Sequence, residues 1–149
     1  MSNTLYDRDF YAWANEQATL LRAGKLSDAD VENIAEEIES MGRAERNELT
    51  NRLAVLLGHL LKWELQPERR GRSWVLTIRE QRRQVARNIK QNPSLRPQLG
   101  EIVADAYGDA VLAAQRETEL PEEAFPAECP WTFDQAMHGE PAPEPKQDA

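Results

Sequence analysis

Apolar residues recur along this chain at three- and four-residue spacing, a period that predicts helices from end to end. Phe10, Trp13, Ala14 and Leu21 share one face of a first helix over about Asp7 to Ala23, with Gly24 placed to end it. Ser27 offers a cap for the next helix, Asp30 follows where a carboxylate suits a helix N-terminus, and Leu26 with Val31 has the spacing of a hydrophobic staple. Val31, Ile34, Ala35, Ile38 and Met41 are then expected to face the core, with Gly42 closing that second helix. A third, from about Arg43 to Leu65, carries Leu49, Leu53, Leu56, Leu57 and Leu60 and is expected to be the most buried; Pro67 stops it.

The fourth helix shows the cleanest division of faces. Arg72, Arg79, Arg83, Arg87 and Lys90 lie on one side, while Trp74, Ile78, Val85 and Ile89 lie on the other, with Asn92-Pro93 at the end. A fifth helix, from about Leu95 or Pro97 to Thr118, presents Leu99, Ile102, Val103, Ala106 and Ala110. Prolines at 121, 126 and 130 then interrupt the pattern, and Thr132 with Gln135 signals one short capped helix ending at His138-Gly139. Strand periodicity and internal repeats are lacking. The expected fold is all-α: an antiparallel bundle of about five helices plus the short C-terminal one, a single domain over residues 1–138, and a disordered, acidic, proline-rich tail over 139–149.

Composition narrows the function. Lys and Arg total 18 against 26 Asp and Glu, a net charge of −8, which disfavours general coating of nucleic acid. The charge is segregated: ten of the basic residues lie between Lys62 and Arg96, and acidic stretches flank them on both sides. One cysteine, Cys129, excludes an internal disulfide and a cysteine-based zinc site. The longest apolar run, Leu53 to Leu61, falls far short of the roughly 20 residues a bilayer span needs, so a cytoplasmic chain without membrane contact is expected.

Several blocks, in order, resemble a bacterial domain-of-unknown-function family numbered twenty-nine: Asp30 to Gly42, His59 to Trp63, Gln66 to Trp74, Ile78 to Arg82 and Phe125 to Trp131. The resemblance covers about Leu5 to Met137. It implies a compact helical fold with no established activity, cofactor or catalytic set.

Three constellations carry candidate chemistry. Arg52, His59 and Trp63 share one edge of the third helix, and Arg followed by six residues and His is similar to the loose motif of HEPN ribonucleases. There the His would move a proton at the ribose 2′-hydroxyl and the Arg would stabilise phosphate charge. The plainer alternative makes His59 a boundary residue bonded to a carboxylate such as Glu36 or Asp105. Second, the cationic side of the fourth helix, Arg72, Arg79, Arg83, Arg87 and Lys90, calls for anions. The acidic edge Glu32, Glu36 and Glu39, of this chain or a second copy, is favoured over nucleic-acid phosphate. Third, the carboxylates Glu36, Glu37 and Glu39, with Glu64 and Asp105, lack a Glu-x-x-His pairing, since neither His59 nor His138 follows a Glu by three, so neither a metal nor a cofactor is expected. The reading is a non-catalytic accessory module that binds a protein partner or itself through complementary charge.

Overall fold

The computed structural model describes residues 4–141. Every regular element among them is helical: α1 Leu5–Arg8, α2 Phe10–Arg22, α3 Val31–Leu65, α4 Arg72–Gln91, α5 Leu99–Thr118 and α6 Phe133–His138, with short 3-10 turns in four of the connections. The chain forms two compact units, Met1–Ala44 and Glu45–Ala149, and α3 runs through the boundary.

The larger unit holds the core. Leu49, Leu53, Leu56, Leu57, Leu60 and Leu61 of α3 pack with Ile78, Val85 and Ile89 of α4, with Ile102, Val103, Ala106, Tyr107, Ala110 and Ala114 of α5, and with Ala136 and Met137 of α6. Burying each large side chain is worth about 1.5–3 kcal/mol, so this stripe dominates the stability of the bundle. Gly58 of α3 faces α5 at ordinary packing distance: a Cβ added there would sit 3.7 Å from the Ala110 carbonyl oxygen. Arg46 ties the same two helices at the surface, donating to Gln98 at 3.0 Å and lying near Glu101 and Asp105. The short C-terminal helix starts as its sequence predicts, with Thr132 and Gln135 forming a reciprocal capping box. Trp131 and Cys129 pack partly buried against the core.

In the smaller unit, Tyr6, Phe10 and Trp13 stack on one another, with ring centroids 4.7–5.8 Å apart. Asp30 joins this cluster to the start of α3: it accepts from the Trp13 indole at 3.1 Å and from the Asn33 side chain at 2.7 Å, while its own N–H donates to Gln17. These bonds, the one from Asn33 above all, hold its carboxyl below the usual range. Tyr6 donates to Glu37, and that bond pushes the phenol pKa up to about 12.

Four expectations need correction. Gly42 does not end a helix; α3 continues through it for 35 residues. Glycine costs a helix interior only about 1 kcal/mol relative to alanine, and Met41, Arg43 and Ala44 around it are good helix formers. The cap of that helix is Asp30, with Ser27 inside a preceding 3-10 turn. Phe10, Leu21, Val31, Ile38 and Met41 do not face a core; all are exposed, because among its described residues the smaller unit buries one large apolar side chain, Trp13. Finally, Gly139 and Pro141 belong to the fold, held by Arg82; of the tail expected to be disordered, residues 142–149 lie outside the described residues.

Candidate interaction surfaces

The basic side of α4 faces outward. Arg72, Arg83, Arg87 and Lys90 are exposed, and Arg79 is half-buried at the margin of the face. Leu76, Arg79, Glu80, Arg83, Gln84 and Arg87 line a shallow groove of about 400 Å³ on this side. The exposed guanidiniums of Arg83 and Arg87 thus stand with one carboxylate, Glu80, in the lining. Like charges four residues apart repel by a few tenths of a kcal/mol per pair, so the groove is a standing attraction for anions. A smaller hollow of about 120 Å³ adjoins it, where Arg87 and Gln84 meet Glu45, Glu48 and Arg52 of α3.

The acidic edge lies on the first turns of α3, with Glu32, Glu36 and Glu39 exposed. Arg43 reaches back to Glu36 at 3.1 Å and to Glu39 at 3.8 Å, so two of the three carboxylates share one guanidinium. On the far side of the helix, about 140° around at 100° per residue, runs the apolar ridge Val31, Ile38 and Met41, exposed by 58%, 63% and 68%. At 100° per residue these three fall with Leu49, Leu53, Leu56 and Leu60 in one arc of about 120°. The stripe that forms the core over the second half of α3 is therefore bare over the first half. The ridge is the surface that sequence reasoning misplaced, having assigned it to the interior.

Each side chain of the ribonuclease motif has a partner outside the motif. Arg52 donates to Glu48 at 2.8 Å, His59 bonds through Nδ1 to the Val55 carbonyl at 3.0 Å, and Trp63 carries the Arg70 guanidinium over its ring at 4.8 Å. The Nε2 of His59 faces the Lys62 ammonium at 3.5 Å, and Lys62 itself is buried, paired with Glu117 and placed over the Trp74 ring. A His59 bonded to Val55 O through a protonated Nδ1 and accepting at Nε2 is a neutral, structural imidazole. Burial foremost, and the Lys62 charge after it, keep its pKa below the usual imidazole value. The carboxylate partners expected for it, Glu36 and Asp105, are not the ones it has. Lys62 and Glu117 were invisible to spacing arguments because 55 residues separate them.

Arg82 is the other residue that charge counting missed. Its guanidinium, 7% exposed, donates Nε to Ala136 O at 3.0 Å, Nη1 to Pro141 O at 2.6 Å and Nη2 to Gly139 O at 2.9 Å. The phase was a usable signal: Arg82 falls among Ile78, Val85 and Ile89, not among the other arginines. Cys129 is a half-buried free thiol whose pKa burial raises, so it is a poor nucleophile.

Among the described residues no cluster of three or more His, Cys, Asp or Glu is placed to hold a metal ion, and no helix is long and apolar enough to cross a membrane. No curated protein and no solved structure is detectably similar to the chain. A family model does match, over residues 5–140, and on that match the chain belongs to the family described as Domain of unknown function DUF29.

Proposed function

We propose that this chain works by binding, as a non-catalytic accessory module that meets a protein partner through the ridge of α3 and the arginine groove of α4. One observation carries the reading: Val31, Ile38 and Met41 continue the phase of a buried leucine stripe and yet stand in solvent. Covering each of them is worth about 1.5–3 kcal/mol, a gain that an intramolecular core does not collect here. Contiguous apolar surface rimmed by charge marks protein interaction sites. Catalysis has less to stand on, because His59 and Arg52 are each committed to other partners. Binding of a nucleic-acid backbone is also the lesser reading: Glu80 stands among the arginines and the net charge of −8 repels polyanions.

The test places a photo-crosslinking amino acid at position 38 of the full chain in its native cell, with position 112 as control, since Leu112 is comparably exposed on α5. A discrete protein adduct from position 38, and none from 112, is the expected result. Irradiation that yields no adduct from position 38 contradicts the reading.

A further inference from the structure

We infer that the apolar ridge of α3 is covered by the same ridge of a second copy, the two rods running antiparallel about a twofold axis beside residue 36. This pairing rests on the binding reading above and adds the identity of the partner. Val31, Ile34, Ile38 and Met41 stand at spacings of three, four and three, the a and d positions of a coiled-coil seam. Val31, Ile38 and Met41 are exposed, and Ile34 is half-buried at the edge of the row. The four positions are symmetric end to end: 31 and 41, like 34 and 38, are equidistant from 36. Two such rods laid head to tail set Val31 of each copy against Met41 of the other and Ile34 against Ile38, four apolar layers in about 15 Å of helix. A twofold interface needs a patch that complements itself in this way. A partner of unrelated sequence requires no symmetry in the row; a second copy does, and the row has it.

The charges around the ridge permit this pairing and set its direction. Glu32, Glu36 and Glu39 lie about 140° around the helix, so the acidic edges of two paired copies point away from each other. One border of the row is formed by Ala35 and Gly42, small and exposed, which let a second rod come close. The other holds Glu37, already the acceptor of the Tyr6 hydroxyl. Glu45 follows Met41 at the next seam position, so a parallel pair would bring Glu45 of each copy face to face against like-charge repulsion. The antiparallel pair instead puts position 45 opposite position 27, before α3 begins, and the seam ends there without apposing two carboxylates.

So short a seam buries less than the roughly 1,200 Å² of a standard interface, so a weak dimer is expected, and sedimentation equilibrium of the full-length protein up to about 1 mM reads it. The mass is expected to rise with concentration above the 17.0 kDa of one chain, and to do so still in about 1 M salt, where an association of charged faces is screened. I38E is expected to weaken association about tenfold or more, and L112E, on the comparably exposed Leu112 of α5, to leave it unchanged. Circular dichroism checks that both variants keep their helix content. Direction is read by disulfide trapping in a C129S background: oxidising a mixture of V31C and M41C is expected to join the unlike chains, while V31C alone, its two copies about 15 Å apart along the pair, is expected to give no bridge. A single-chain mass at every concentration overturns the inference, as does association that I38E leaves intact, a mixture that forms no bridge, or a bridge from V31C alone. Should a single-chain mass accompany a position-38 adduct to a different protein, self-pairing fails while the binding reading stands; absence of any adduct fails both.

Discussion

At the scale of single residues, the side chains that decide the fold are those whose charge disagrees with their phase. Arg82 is the sharpest case: a guanidinium on the apolar face of α4 fastens three carbonyls at and beyond the end of α6. Bonds to a charged donor contribute about 1.5–3 kcal/mol each when counted singly, and less when shared, so R82A is expected to lower unfolding free energy by about 3 kcal/mol in urea titrations. Loss of under about 0.5 kcal/mol would contradict the anchoring role. His59 gives a pH prediction. Because its folded pKa lies below the unfolded value near 6.5, the unfolded state binds the proton more readily, and stability falls as pH drops through 6.5 toward the folded value. Comparing urea midpoints at pH 7.5 and 5.5, the fall is expected to be smaller in H59Q than in wild type; an equal fall in both removes His59 as a cause. Position in the apolar phase made Trp13, Ile78 and Ile102 legible as core residues, whereas the Lys62–Glu117 pair depends on how α3 meets α5, which spacing does not encode.

At the scale of elements, α4 and α6 were legible because each carries its own start, stop and face: the arginine and apolar rows in one, the Thr132–Gln135 box in the other. The reading of α3 failed at Gly42, where local chemistry allows two outcomes. A glycine after an apolar run suits a left-handed helix end, but the same residue is tolerated inside a helix when strong formers follow. The two outcomes predict opposite effects for G42A. In the continuous helix nothing lies within 4 Å of an added Cβ, so alanine is expected to raise stability by about 0.5–1 kcal/mol in thermal or urea unfolding. A destabilised G42A would restore the break. Gly24 supplies the contrast: its φ of +73° is costly for any side chain, and G24A is expected to destabilise by about 1 kcal/mol.

Across the whole molecule, the two units differ in self-sufficiency. Glu45–Ala149 closes a leucine-rich core from four helices, while Met1–Ala44, among its described residues, buries Trp13 as its one large apolar side chain and leaves Val31, Ile38 and Met41 in solvent. Periodicity reports which side chains are apolar; it cannot report whether the same chain or another molecule covers them, which is why the ridge was read as interior. The segregation of acidic and basic stretches was legible from the first. The photo-crosslink at position 38 of the full chain in its native cell tests the account most directly: a discrete protein adduct is predicted there and none at position 112, and irradiation that leaves position 38 without an adduct would contradict it.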